Sequence, residues 1–160
     1  NGIEYLGSAS EVIDSTRIDW PALLGGQFTP DYVNQLPAAG NNTYQAHYYP
    51  GNLTIPTGRR RGLLVTLGDV TLASGAHWDG IIVAGGQVDA RATEFRVHGM
   101  IISGLNISQG INVQRNQVRR QGGGGTRTIQ WDWCYATASI ASLSYLIPIK
   151  NAWVDNWSTY

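Results

Sequence analysis

The sequence predicts a mainly β protein, a short parallel β-helix of about three to four rungs with an N-terminal cap segment and one C-terminal covering helix. The first observation is a repeat. Three segments align without a gap at offsets of 18 and 19 residues, and they are Gly62–Val70, Gly80–Val88 and Gly99–Ile107. The second is that each segment is a short apolar run bounded by glycine, which favours a strand over a helix. We therefore expect each copy to bury its apolar face against the next copy.

In-register stacking of these copies places equivalent residues in columns, about 4.8 Å apart. The residue before each leading glycine gives a charged column of Arg61, Asp79 and His98, which we expect to form a ladder of hydrogen bonds. Two more columns follow from the same alignment. They are a polar turn column of Asp69, Gln87 and Asn106 and an interior apolar column of Val70, Val88 and Ile107.

The composition describes a single neutral domain. The chain has 160 residues, no formal net charge, and charged side chains at only 14% of positions. Proteins that read nucleic acids or bind anionic membranes usually carry an excess of Lys and Arg, so this balance argues against both partners. A neutral surface rich in glycine and tryptophan suits an exported or assembly-bound protein, and we expect a periplasmic or cell-surface location.

Cys134 is the only cysteine, so the chain has no internal disulfide and no cysteine-based metal site. We expect a small buried thiol at this position. No run approaches the roughly 18 apolar residues of a membrane span. The chain starts at Asn1 rather than Met, so we expect a processed or partial chain that reaches a membrane through partners or through a removed anchor.

Four segments follow one another along the chain. Residues 1–47 contain no copy of the repeat and are predicted to cap the first rung. The rungs occupy 48–114, where Tyr48–Ile55 is a degenerate first copy. An Arg- and Gly-rich loop is predicted for 115–127, and 128–160 holds a closing strand, the helix and an aromatic tail.

The last segment carries the pattern of a strand followed by a helix. Residues 126–133 alternate as a closing strand, and one face of it carries Ile129, Trp131 and Trp133. Residues 135–147 have apolar side chains at helical spacing, and Asp132 lies where an N-cap forms. Because no charge appears in this helix, we expect it to cover one outer face of the rungs.

Arg59, Arg60 and Arg61 follow a Pro-Thr-Gly turn. Three arginines in a turn are most often a solvated edge, and we adopt this interpretation. The alternative is a site for phosphate or for an acidic partner.

Groups that carry chemistry are sparse. Sugar-cleaving β-helices need converging carboxylates, and the candidates here are Asp69, Asp79, Asp89 and Glu94 with Arg91 and Arg96. Asp69 and Asp79 occupy different phases of the rung, so we predict that the protein is not an enzyme. His77, Asp79 and His98 are the only candidate metal ligands at close spacing, and the expected ladder satisfies Asp79 and His98 without a metal. We therefore expect no metal and no cofactor.

Residues 60–157 resemble the C-terminal domain of PilX-like proteins, which are linked to type IV pilus assembly in bacteria. The shared motifs are Gly-Leu-Leu-Val-x-x-Gly-Asp-Val-Thr-Leu from Gly62, Trp-x-Gly-Ile-Ile-Val-x-Gly from Trp78, and a closing helix with Cys134. A Pro-x-x-x-Ala-Trp-x-Asp-x-Trp ending follows from Pro148. The resemblance implies an exported, non-enzymatic protein with a structural or filament-associated role and a pilin-like N-terminal helix.

No hydrophobic pilin helix begins this chain, so a second expectation is a scaffold subunit on the periplasmic face of a respiratory or photosynthetic membrane complex. A third is a carbohydrate-binding β-helix. Under the first two, aromatic side chains dock on protein partners. The interface residues predicted from the sequence are Trp131, Trp133, Trp153, Trp157 and Tyr160.

Overall fold

A computed structural model describes residues 20–106, 110, 118–120, 125–141 and 143. The chain is mostly β, and its parallel sheets wind into a β-solenoid of about four turns with one short C-terminal helix. This confirms the predicted fold class. None of the described helices is long and apolar enough to cross a membrane.

In the part of the chain that the structure describes, ten strands form two parallel sheets. In chain order they are β1 (Tyr32–Val33), β2 (Ala46–Tyr49), β3 (Leu53–Ile55), β4 (Gly58–Thr66), β5 (Val70–Leu72), β6 (Ala76–Ala84), β7 (Val88–Ala90), β8 (Phe95–Ile102), β9 (Val118–Arg120) and β10 (Arg127–Gln130). The larger sheet has the order β1-β2-β4-β6-β8-β10, and the smaller has the order β3-β5-β7-β9. From β2 to β10 the strands alternate between the two sheets, so each turn in this part of the solenoid adds one strand to each sheet.

A glycine sits in the middle of each long strand and marks a corner. Gly62, Gly80 and Gly99 have φ angles of 125°, 138° and 132°, a region that L side chains rarely adopt. They are paired in register, Gly62 with Gly80 and Gly80 with Gly99. A Cβ on Gly80 would overlap the Gly62 carbonyl oxygen, and one on Gly99 would overlap the Gly80 carbonyl oxygen. Only glycine permits this close stacking of backbone on backbone.

Two apolar clusters line the two sides of the larger sheet. The interior cluster includes Leu64 and Ile82, together with Val70 and Val88 of the smaller sheet. The outer cluster contains Leu63, Val65, Ile81, Val83 and Ile102. Val83 fits the sequence pattern of an interior residue, but it lies in the outer cluster, because both faces of this strand are apolar and buried.

Two helical segments pack on the outer cluster. Helix α1 (Trp20–Ala22) runs into a π-helical turn, Leu23–Gln27, and Trp20 is completely buried. Helix α2 (Trp133–Ala141) contributes Ala136 to the same cluster. The N-terminal lead-in thus covers an outer face as well as extending the sheet edge through β1.

Helix α2 begins earlier than the spacing of its apolar residues predicts. The Asp132 side chain accepts a hydrogen bond from the Tyr135 amide at 3.2 Å, so Asp132 is the N-cap and Trp133 is the first helical residue. Trp133 is therefore not part of the closing strand, which ends at Gln130. Cys134 is exposed on this helix, so the prediction of a buried thiol was wrong.

The turn column and the apolar column differ from the prediction in their last member. The side chain of Asn52 accepts from the Asp69 amide at 2.8 Å, and Asp69 accepts from the Gln87 amide at 2.8 Å. Asn106 instead donates from Nδ2 to the Leu67 carbonyl at 2.7 Å. In the apolar column the neighbour of Val88 is Val118, not Ile107, because about eleven more residues intervene before the smaller sheet resumes. Residue 107 lies outside the described residues.

Strands of the solenoid also lie outside the segment 48–114 that was predicted to hold the rungs. The lead-in, 1–47, contains β1 and the start of β2, and the predicted loop 115–127 contains β9. Tyr48–Ile55 does form part of a first rung, because β2 pairs with β4 and β3 pairs with β5. Most of the four-glycine run, the helix end beyond 143 and the tail lie outside the described residues.

Substitution of Gly80 tests the corner. In Gly80→Ala the new Cβ would overlap the Gly62 carbonyl and the Ser139 hydroxyl, so we expect the free energy of unfolding to fall by about 3 kcal/mol or more, or folding to fail. Gly51→Ala is the control, since a Cβ there meets no atom within 4 Å, and its cost should stay below about 1 kcal/mol. Urea denaturation followed by circular dichroism measures both. Equal losses of stability in the two variants would contradict the conclusion that the corner requires glycine at position 80.

Candidate functional site

A carboxylate that is completely shielded from solvent lies on the outer face of β6, and it belongs to Asp79. Arg59 donates from Nε to Asp79 Oδ2 at 2.6 Å, and Nη2 of Arg61 lies 3.9 Å from the same oxygen. His77 donates from Nε2 to Asp79 Oδ1 at 2.9 Å, and Nδ1 of His98 lies 3.3 Å from that oxygen. We call these five residues the polar cluster.

The register of the strands brings the polar cluster together. Arg61 on β4 is paired with Asp79 on β6, which is paired with His98 on β8, and these three are the column expected from the repeat. Arg59 is paired with His77 in the same way. Because side chains two residues apart share a face of a strand, the second column lies beside the first and both reach Asp79.

Arg59, Arg60 and Arg61 are not a solvated turn, which corrects the expectation for this run. They lie within β4 and alternate between its two faces. Arg60 is buried, and its guanidinium donates to the backbone carbonyl groups of Pro37, Pro56 and Thr57 at 2.8–3.0 Å. Burial lowers the pKa of Arg60 from its ordinary value. This arginine therefore closes one end of the solenoid interior.

Tyrosines from two other segments complete the surroundings of Asp79. The ring of Tyr135 on α2 stacks on His98 with a centroid distance of 6.0 Å, and its hydroxyl accepts from Arg59 Nη2 at 3.4 Å. The guanidinium of Arg61 lies over the ring of Tyr44 at 5.4 Å, which is the geometry of a cation–π contact. The covering helix is thus attached to the polar cluster as well as to the outer apolar cluster.

The electrostatics of the polar cluster follow from these contacts. One carboxylate faces two guanidinium groups, so the cluster carries one net positive charge while both histidines are neutral. Burial lowers the pKa of His77, and the nearby Asp79 carboxylate offsets part of that shift. The hydrogen bond to Asp79 raises the pKa of Arg59. In the described part of the chain no serine, threonine or cysteine is hydrogen-bonded to either histidine, so the geometry supplies no activated nucleophile.

Two of the other candidate carboxylates engage different partners. Asp69 holds the turn column through the Gln87 amide, and Asp89 accepts from the guanidinium of Arg91 at 2.8 and 3.0 Å. Asp89 lies on β7 in the smaller sheet, whereas Asp79 lies on β6 in the larger one. These residues therefore do not form the acid and base pair that sugar cleavage would need.

Two of the five predicted interface residues lie in the described chain, and both are open to solvent. Trp131 is 52% exposed and Trp133 is 68% exposed, and their rings are 6.2 Å apart with an angle of 50° between their planes. Trp153, Trp157 and Tyr160 lie outside the described residues. Ile140, on the same helix as Trp133, is also exposed.

His47 is a buried titratable residue that the sequence pattern did not single out. Its Nδ1 donates to the Gln35 carbonyl at 2.7 Å, its ring stacks on Tyr32, and its Nε2 is buried with no hydrogen-bond partner among the described residues. Burial lowers the pKa of His47, and the hydrogen bond to Gln35 offsets part of that shift. The sequence indicates a buried position for His47 only once β2 is aligned with β4, which pairs His47 with Leu64.

Removal of the charge on Asp79 tests whether the polar cluster holds the helix. In Asp79→Asn the two guanidinium groups lose their anionic partner. Because their side chains are 46% and 16% exposed, we expect the free energy of unfolding to fall by about 1–3 kcal/mol. Arg91→Ala is the control because it removes an exposed ion pair, so it should change stability little. Chemical denaturation measures the free energy of unfolding of both variants. A loss below about 1 kcal/mol in Asp79→Asn would show that the polar cluster contributes little to stability.

His47 predicts a loss of stability on acidification. Because its pKa is lower in the folded protein, the unfolded chain takes up a proton first when the pH falls below the ordinary value of 6.5. Stability should fall from that pH downward, by at most about 1.4 kcal/mol per pH unit from this residue. In His47→Gln the slope of unfolding free energy against pH should be shallower by this contribution. Identical slopes in the two proteins would contradict the assignment.

Comparisons with protein-family models, with curated proteins and with solved structures yield no match to this chain. The resemblance to PilX-like proteins rests on the motifs of residues 60–157 alone and stays a prediction.

Proposed function

We propose that this chain is a non-catalytic, exported structural subunit that binds another protein of a larger assembly, pilus-associated or of a similar surface kind. The observation that supports protein binding most directly is the exposed side of α2. Trp133 and Ile140 are exposed and lie seven residues apart, so they occupy the same side of the helix, two turns from one another. With the neighbouring Trp131 they make up what we call the apolar stripe.

The space between the two helical members of the stripe is filled by an uncharged side chain. Thr137 is exposed and follows Trp133 by four residues and precedes Ile140 by three, which places it on the same side of α2. Its methyl group extends the apolar surface, and its hydroxyl is a single polar group that a partner can satisfy with one hydrogen bond. The open side of the helix is therefore uncharged along its length.

The opposite side of α2 is already in use. Ala136 and Ser139 are buried against the solenoid, and no residue of the helix carries a charge. A surface helix ordinarily turns charged and polar side chains to solvent. A helix that is covered on one side and shows large apolar side chains on the other is suited to lie between two protein surfaces.

The apolar stripe is held in a fixed position. Asp132 caps the helix, β10 pairs with β8 just before Trp131, and Tyr135 attaches the first turn to the polar cluster. Ordering of side chains is a cost of association, so a preformed surface binds more tightly than a mobile one. Tryptophan is enriched among residues that dominate binding, and each is worth about 2 kcal/mol or more when it is central.

The class of partner is suggested by the resemblance of residues 60–157 to PilX-like proteins, which makes pilus components the first candidates. The alternative is an integral membrane complex, respiratory or photosynthetic, for which this subunit is a scaffold on the periplasmic face. The apolar stripe and the neutral composition suit either partner.

Carbohydrate binding is the second candidate function, and one observation favours it. The exposed rings of Trp131 and Trp133 lie side by side, and an exposed aromatic face can pack against the C–H groups of a sugar ring. The same two residues therefore bear on both functions, and an experiment on them must separate the two.

A photo-reactive phenylalanine analogue at position 133 tests the proposal in source cells. We expect ultraviolet light to cross-link it to a distinct protein, whose identity mass spectrometry then establishes. The same analogue at position 33 is the control, because Val33 is also exposed but lies on β1, at the opposite edge of the larger sheet. Cross-links that are absent at position 133, or equal at both positions, would contradict the proposal.

The double variant Trp131→Ala, Trp133→Ala should release the chain from its assembly in native gels and should keep its melting temperature. Val33→Ser should leave the assembly intact. Oligosaccharides that bind the exposed tryptophans should quench tryptophan fluorescence in the wild type and not in the double variant. That result, together with the absence of a cross-link at position 133, would favour carbohydrate binding over protein binding.

A further inference from the structure

Three side chains of the polar cluster offer ligand atoms to a metal ion. One ligand atom from each of His77, Asp79 and His98 lies within 4.8 Å of the others. The alignment of the repeat predicted one histidine in this column, and its ladder needed no metal. The structure places a second imidazole against the same carboxylate oxygen, since His77 and His98 both reach Asp79 Oδ1. Two imidazoles and one carboxylate are a common ligand set for divalent transition metals.

The distances suit a tetrahedral site. Bonds of about 2.0–2.2 Å from zinc to nitrogen and oxygen place neighbouring ligand atoms about 3.3 Å apart. Nε2 of His77 and Nδ1 of His98 lie 2.9 and 3.3 Å from Asp79 Oδ1. Two edges of the coordination polyhedron are therefore present. Binding requires the two imidazole rings, whose centroids are 5.0 Å apart, to turn their nitrogen atoms toward one ion.

The two oxygens of the Asp79 carboxylate have different neighbours. Arg59 and Arg61 approach Oδ2, which leaves Oδ1 to face the histidines. Hydrogen bonds to the second oxygen of a ligating carboxylate are typical of metal sites and fix its orientation. The stacked ring of Tyr135 holds His98 in the same way. The side chains of His77 and His98 are 20% and 25% exposed, which leaves a path for an ion and a position for water.

The two guanidinium groups and the ligand set determine how tightly ions bind and which ions fit. The positive charge of the guanidinium groups weakens the binding of any dication. The ligand set, with a single carboxylate, does not suit hard ions such as Mg²⁺ and Ca²⁺, which need several oxygen ligands. Imidazole ligands favour zinc, copper and nickel. Binding needs no net release of protons from neutral histidines, because each ring moves its proton to the other nitrogen.

We propose that His77, Asp79 and His98 bind one divalent transition-metal ion of the zinc class on the outer face of the solenoid. The site is independent of the proposed protein-binding function, since the polar cluster lies on the covered side of α2 and the apolar stripe lies on its open side. A bound ion would add a bond between β6 and β8 beneath the helix.

Titration of the chelator-treated full chain with zinc chloride tests this by calorimetry near neutral pH. We expect one ion per chain with a dissociation constant below about 10 µM. His98→Gln should weaken binding at least about tenfold. His47→Gln is the matched control, because His47 is the remaining histidine of the chain and lies outside the polar cluster.

The proposal is overturned if no saturable binding occurs at about 100 µM zinc, or if His98→Gln and His47→Gln bind as the wild type does. Should His98→Gln fail to fold, His77→Gln takes its place. Cobalt titration of the wild type provides a measurement that depends on no variant. Visible absorption bands of a four- or five-coordinate ion are expected, and their absence overturns the site.

Discussion

The close stacking of Gly62, Gly80 and Gly99 is the contact on which the rest of the structure depends. Each has a backbone conformation and a spacing that a side chain would prevent. Because the corner of every turn rests directly on the corner below, neighbouring turns stay in register on both sides of the glycine. The register then carries residue Asp79 to a position between two arginines and two histidines that are far from one another in sequence.

Both faces of the larger sheet carry buried side chains, and this explains where polar groups are tolerated. Among the described residues, Arg60 is the charged side chain on the interior face, and its guanidinium donates to backbone carbonyl groups. The outer face is apolar after the corner and charged before it. Helix α2 covers parts of both regions, so Ala136 meets aliphatic side chains while Tyr135 meets His98. The polar cluster and the outer apolar cluster thus position one helix together.

Much of this arrangement could be predicted because the repeat has a regular period. The offsets of 18 and 19 residues located the corner and the column of Arg61, Asp79 and His98. Period alone could not decide which face is interior, because Ile82 and Val83 are both aliphatic and only Ile82 lies in the interior cluster. Arg59 was missed because a run of three arginines after a turn has the pattern of a solvated edge, although β4 already begins at Gly58. The extra residues between β8 and β9 broke the period, so Val118 could not be aligned with Val88.

Side chains in the turns of the solenoid form a series of hydrogen bonds, each from a backbone amide of one turn to a side-chain oxygen of the turn before it. Asn52 accepts from the backbone of Asp69, and Asp69 accepts from the backbone of Gln87, whose own side-chain oxygen is buried with no partner among the described residues. Every link uses one side-chain oxygen and one amide of the next turn, so any turn that supplies both fits anywhere in the series. Duplication of a single turn would therefore lengthen the solenoid without new chemistry.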